Sequence, residues 1–165
     1  MLILLVFKVW QQQQHSQAEI VETTRRSTHT LLSEQMRLNG ESQVQQLAEA
    51  LVNPLYFFDL EEIGSLARNT LRISGVDYVL VYDTEGRILH DGSGDIASFG
   101  MRMDDALADA VISADSLHTE SSSSLLDVSA PILIGDERLG GVRIGYTTAL
   151  MQRAEQDALD ALEAR

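Results

Sequence analysis

Polar and apolar positions divide the chain into a helical first third and a remainder that alternates. From Trp10 to about Val52 there is one glycine, Gly40, no proline, and an abundance of Gln, Glu, Ala, Leu and Arg, a helix-favouring composition. Val44, Leu47, Ala48, Leu51 and Val52 recur at helical spacing and are expected to face a core. Upstream, Val21, Thr24, Thr28, Leu31, Gln35 and Leu38 form a thinner, partly polar seam, suited to weak parallel pairing of two helices. At about 1.5 Å per residue, forty helical residues reach roughly 60 Å, more than the remaining chain could match as a domain, so part of the helix is expected to project or pair. Asn39-Gly40 favours a turn and leaves open two helices instead of one, and Asn53-Pro54 is expected to end the region.

A second helix follows, with Asp59 and Glu62 as a capping-box-like start. Leu60, Ile63, Leu66, Ala67, Thr70 and Leu71 form its buried stripe, and Gly75 closes it. The period then changes. Val76 to Tyr82 and Arg87 to His90 are strand-like runs flanking Asp83-Thr84-Glu85-Gly86, which predicts an antiparallel hairpin. A loop carrying Gly92, Gly94 and Gly100 leads to a short helix from about Asp104 to Ala114. Three strands are expected next: a weak one over 116–120, then Leu125 to Ile134 and Leu139 to Thr147, the last two joined across Gly135 to Arg138. Ala149 to Arg165 reads as a final helix with Met151, Ala154, Ala158, Ala161 and Leu162 on one face. The predicted class is α+β, with five strands between a long N-terminal helix and a C-terminal helix.

Composition narrows the function. With 165 residues, 44% of them hydrophobic, the chain can bury a core without staples, and it has no cysteine, which removes disulfides, thiolate metal sites and a cysteine nucleophile. The net charge of -13 is uneven: residues 1–52 hold four basic and five acidic side chains, residues 53–165 eight and twenty. Such a charge repels phosphate backbones, so nucleic acid is not an expected partner. The apolar run Met1 to Phe7, followed by Lys8 and Trp10, is too short to span a bilayer, which takes about 20 residues. Its flanks suit the cropped end of a membrane helix better than a secretory signal.

No phosphate loop, nucleophile elbow or paired-histidine metal motif is present, so no catalytic residue, metal site or cofactor is expected. His15 and His29 lie in the polar helical region, while His90 ends a strand and His118 lies in one, where either could line a pocket. The acids Asp83, Glu85, Asp91 and Asp95 lack the spacing of a calcium loop and read as turn chemistry. Asp127 interrupts an apolar run, and a buried carboxylate there needs a partner, for which Arg143 and Arg102 are the candidates.

The long first helix, the segment Asn53-Pro54-Leu55-Tyr56, the hairpin from Tyr78 to Leu89, then Ala130-Pro131-Ile132 and the run Leu139 to Tyr146 together resemble the extracytoplasmic PAS-like sensors called Cache or PDC domains. The resemblance implies a PAS-like five-stranded antiparallel sheet and a periplasmic, ligand-sensing, non-enzymatic role in a bacterial inner-membrane receptor. The output of such a receptor is a diguanylate cyclase or phosphodiesterase, a chemoreceptor signalling region, or a histidine kinase of a two-component system. It divides the chain into a membrane-helix remnant at 1–10, a helical region at 11–52, a sensor core at 53–147 and a helix leading to the membrane at 148–165. It implies a homodimer, membrane attachment through the flanking helices, and a small-molecule or ion ligand between the sheet and the Asp91 to Ala114 segment. Tyr78, Arg102, His118, Asp127 and Tyr146 are the polar groups it offers to that ligand. The tyrosine, arginine, tryptophan and aspartate set of amino-acid-binding members is missing, since Trp10 is the only tryptophan. A protein-interaction or dimerisation module with no small ligand is the competing expectation.

Overall fold

The computed structural model describes residues 2–163, with side chains from Val21 to Ala161. Its elements are α1 (Leu2–Tyr56), α2 (Leu60–Leu71), β1 (Val76–Tyr82), β2 (Ile88–His90), α3 (Ala108–Ser113), β3 (His118–Ser121), β4 (Leu125–Ile134), β5 (Glu137–Thr147) and α4 (Ala149–Glu163). The strands form one antiparallel sheet in the order β2-β1-β5-β4-β3, which bears out the five-stranded antiparallel sheet that the resemblance implies and adds its strand order. Two compact units result: α1 as far as Gln35 with α4 from Leu150, and Met36–Ala149.

In the larger unit, α1 from Met36 and α2 bury their apolar stripes on one face of the sheet. Val44, Leu47, Ala48, Leu51 and Leu55 of α1 and Ile63 and Ala67 of α2 meet Val79, Val81, Val142, Ile144, Leu126, Val128 and Ile132. Asp59 caps α2, its Oδ1 accepting from the Glu62 N–H at 3.1 Å, as the capping pattern predicts. Helix α1 decides the alternative left open at Asn39-Gly40 and departs from expectation at Pro54. It passes unbroken through Asn39-Gly40, because Gly40 is a point of close approach: a Cβ there would stand 3.1 Å from Tyr146 Cε2 and 3.3 Å from Val128 Cγ2. Burial there outweighs the roughly 1 kcal/mol that glycine costs a helix. Pro54 lies inside the last turn rather than ending the helix, since the carbonyls of Asn53 and Pro54 still accept from Phe57 and Asp59. The chain turns away at Phe58, whose φ is 55°.

The smaller unit is held by contacts between α1 and α4. Ser33 Oγ donates to Met151 Sδ at 3.3 Å, and His29 Nδ1 lies 3.1 Å from Glu155 Oε2. Met151, Glu155 and Leu159 are half-buried while Ala154, Ala158 and Ala161 are exposed, so the contact face of α4 is rotated from the alanine-lined face that hydrophobicity alone selects. The expected face included Leu162, and the expected membrane flank comprised Met1 to Trp10; both lie outside the residues whose side chains are described. Among the described residues no helix is long and apolar enough to cross a membrane.

His90 is buried at 2% exposure between β2 and α2, where a side chain at Gly64 would run into its ring. Its Nδ1 accepts from the Gly92 N–H at 2.9 Å. Desolvation and the nearby charge of Arg68 lower its pKa below the ordinary 6.5. The unfolded chain therefore takes up the proton first, and the contribution of His90 to stability is constant above 6.5, falls as pH drops through that value, and levels off below the folded pKa. Urea denaturation across that range is expected to show this slope in the parent chain and to lose it in His90→Asn, whose amide oxygen can still accept from Gly92. An unchanged slope in the variant assigns the effect to another group.

Candidate ligand-binding site

The second face of the sheet carries the polar residues, and register brings them together. One rung aligns Tyr78 on β1, Gly145 on β5, Asp127 on β4 and Glu120 on β3; the next aligns Leu80, Arg143, Ser129 and His118. Residues directly opposite in antiparallel pairs share a face, so all of these sit on the side away from α1 and α2. An irregularity in β1 between Val76 and Tyr78 makes this possible, because it lets Val76 pair with Tyr146 and Tyr78 with Gly145 on opposite faces. Part of the same face is covered by the segment leading into α3: Met103, Ala108 and Val111 pack on Tyr82 and Ile88. Arg138 ties the end of α3 down by donating to the carbonyls of Ile112 and Ala114.

At the centre lies Arg143, 4% exposed. Its Nε donates to Asp127 Oδ2 at 2.7 Å, and its two terminal nitrogens grip both oxygens of Asp105 at 2.7 and 2.9 Å. Tyr78 donates its hydroxyl to the same Asp127 Oδ2, and its ring lies under the guanidinium, 5.6 Å from centroid to Cζ. Burial opposes the charge of Arg143, but the hydrogen bonds and charges of Asp105 and Asp127 outweigh it and raise its pKa. The Arg143 hydrogen bonds in turn hold Asp105 below the usual carboxylate value against some desolvation. Burial, then the hydrogen bond to Asp127, pushes the Tyr78 hydroxyl up. Two buried polar atoms are left over among the described residues, Asp127 Oδ1 and His118 Nε2, neither with a hydrogen-bond partner.

Three of the five sequence candidates, Tyr78, His118 and Asp127, therefore share one face, and two do not. Arg102 sits out by the β1–β2 turn, half-exposed, donating to the Glu85 carbonyl at 3.2 Å and pairing with Asp109 at 3.1 Å. Tyr146 points the other way, its hydroxyl donating to Gln43 Oε1 of α1 at 2.7 Å and its pKa pushed up to about 12 by burial. Arg143 enters the sequence reading only as a partner for Asp127, although an arginine between Gly141 and Gly145 in an apolar strand marks a side chain with cleared space around it. Asp105 carries no comparable signal. The expected helix start at Asp104 is instead a turn: Asp105 Oδ1 accepts from the Leu107 N–H at 3.0 Å, which delays α3 to Ala108 and turns the carboxylate to Arg143. The loop acids behave as turn formers, with Asp83 Oδ1 accepting from the N–H groups of Glu85 and Arg87. A separate cleft of about 440 Å³, bordered by Ala48 and Val52 of α1, Leu117 and Pro131, holds none of the five candidates.

A sheet in this order, backed by a long N-terminal helix and carrying a buried polar centre under a covering segment, defines an α+β sensor module of PAS-like design. The model of the family "Single cache domain 3" matches residues 24–160, and the chain belongs to that family. It is accordingly an extracytoplasmic sensor domain, periplasmic and not an enzyme. Solved structures agree on the fold. The sensor domain of the V. cholerae histidine kinase DctB superposes with a TM-score of 0.60 at 12% identity over 85% of this chain and 61% of that one. The E. coli DcuS sensor domain gives 0.57 and 14% over 77% and 96%. The ligand-binding domain of the Campylobacter jejuni chemoreceptor Tlp3 gives 0.56 and 12% over 81% and 62%. The chain thus spans less than two thirds of the V. cholerae and C. jejuni domains. No curated protein sequence matches it.

Proposed function

We propose that this sensor domain binds a small ligand over the outer face of its sheet, at Tyr78, Asp127 and His118 with Arg143 and Asp105, and passes the event on through its terminal helices. The observation that carries the reading is Arg143: it is buried in β5, reaches through Asp105 into the segment that covers the sheet, and its strand is followed by α4 after Thr148 alone. A ligand that exchanges any of these bonds redistributes two arrangements of strand and segment, by no more than its difference in affinity for them. The C. jejuni relative was solved with 4-methylisoleucine, which supports a small organic ligand for this fold. In this reading residues 1–10 and 148–165 lead to membrane helices, and the receptor's output is a histidine kinase or a cyclic-di-GMP enzyme.

A thermal-shift screen over amines, amino acids, carboxylates and nucleosides tests the ligand. A binder present at 100 times its Kd adds about 2.7 kcal/mol, a rise of roughly 5 °C or more for a chain of this size. Slower amide exchange from Arg143 to Thr147 in its presence would support the route into α4. A screen with no binder in any class defeats the proposal.

The chain also acts, in this reading, as a homodimer paired along the seam of α1. Leu31 is 71% exposed and Leu38 49%, seven positions apart on one helix. Sedimentation of Leu31→Glu/Leu38→Glu is expected to show at least about a tenfold weaker dimer, since each change places a charge at an apolar position of the seam. Equal association of parent and variant removes the seam from the interface.

A further inference from the structure

The buried polar centre says which ligand chemistry it accepts. Arg143 is the only cation in it among the described residues, and neither bidentate edge of its guanidinium is free: Asp105 takes one N–H from each terminal nitrogen and Asp127 takes the Nε. An incoming carboxylate meets a tethered carboxylate already in place, and a tethered group competes as if present at very high concentration. The group left wanting a partner is an acceptor. Asp127, 1% exposed, has Oδ1 buried and unpaired, and a buried carboxylate oxygen without a donor is costly. His118 Nε2, on the same face, is unpaired as well, and Glu120 stands opposite Asp127 on the same rung. Two carboxylates against one guanidinium leave the centre negative, and the chain as a whole carries -13, which draws cations inward. Metal coordination does not account for this, because the described residues hold no group of three or more His, Asp or Glu side chains placed to share an ion.

We propose that the centre receives a protonated amine, which donates to Asp127 Oδ1, and that Asp105 is the residue that turns carboxylate ligands away by keeping Arg143 occupied. This rests on the ligand-sensing reading above and narrows it to one ligand charge. The rim is reachable, since the Asp105 side chain is 47% exposed where it meets the buried Arg143. Removing the Asp105 charge frees the arginine fork and is expected to convert an amine site into one that also takes carboxylates.

The test is thermal shift of the whole chain with four probes, ethylamine and putrescine against acetate and succinate, at matched ionic strength. In the parent chain an amine is expected to raise the melting temperature by several degrees and neither carboxylate to do so. Asp105→Asn keeps an oxygen for the Leu107 N–H and should gain a response to succinate or acetate; Asp105→Ala serves as the second variant if the first is poorly folded. Asp127→Asn should lose the amine response. A parent chain stabilised by succinate overturns the proposal while leaving the sensor reading intact. So does an amine response undiminished in Asp127→Asn, or an Asp105 variant still blind to carboxylates. If the amines do nothing, the proposal falls, and the broader screen of the preceding section decides separately whether the sensor reading falls with it.

Discussion

Replacing Arg143 with alanine is expected to cost about 3–5 kcal/mol, the range for removing one member of a buried ion pair. The loss goes beyond the hydrogen bonds themselves. Asp127, with a side chain 2% exposed, would keep only the Tyr78 hydroxyl as donor, its charge no longer balanced by the guanidinium. Most of the cost is thus the stranded charge, so Arg143→Met combined with Asp127→Leu, which removes both charges of the pair, should recover the greater part of it. Urea denaturation of Arg143→Met, Asp127→Leu and the double variant, read as a cycle, gives the coupling. A loss below about 1 kcal/mol in Arg143→Ala, or a double variant no better than the sum of the singles, would show that the pair is solvated rather than buried.

The second large effect is expected at Gly140 on β5. A Cβ there would run into the main-chain carbonyl oxygen of Tyr82 on the neighbouring strand, and Leu55 Cδ2 lies 3.1 Å away on the helix side. A flexible side chain could step aside; a carbonyl held in a sheet cannot move without its strand. Gly140→Ala is therefore expected to lose about 3 kcal/mol, at the upper end of overpacking. Gly94→Ala is the control, since nothing lies within 4 Å of that position, and it should stay within about 0.5 kcal/mol of the parent. Equal stability of the two variants would contradict the close packing of β5 on β1.

The fold was largely legible because its strands and second helix carry unmixed periods. Val79 and Val81, Val142 and Ile144, and Leu126 and Val128 alternate as half-buried strands must, and Asp59 with Glu62 announces α2. Local preference is a poor guide where tertiary contact overrides it. Asn39-Gly40 looks like a break, yet it lies in a helix because Tyr146 and Val128 need the space that Gly40 leaves. The alanines of α4 look like a packing face, yet Met151 and Glu155 make the contacts. The candidate site was half legible. Asp127 stood out as a charge among apolar neighbours, and strand register then delivered Tyr78 and His118 to its face. The resemblance offers Tyr146 there too, but the irregularity after Val76, invisible in composition, sends Tyr78 and Tyr146 to opposite sides. Asp105 could not be found at all from sequence, because its role depends on a turn 38 residues away from the arginine it serves.

Gly141 and Gly145 flank Arg143 on β5, and a side chain at either would strike an aromatic ring, that of Tyr82 at the first and of Tyr78 at the second. The rings act as keys in two notches cut two positions to either side of the arginine. A slip of β5 by two residues would preserve the in–out alternation yet drive the guanidinium into a notch and a ring against its side chain. The strand is thereby indexed to a single setting, so any signal it conveys must be a tilt or a flexing of the ribbon and not a sliding of one strand past another.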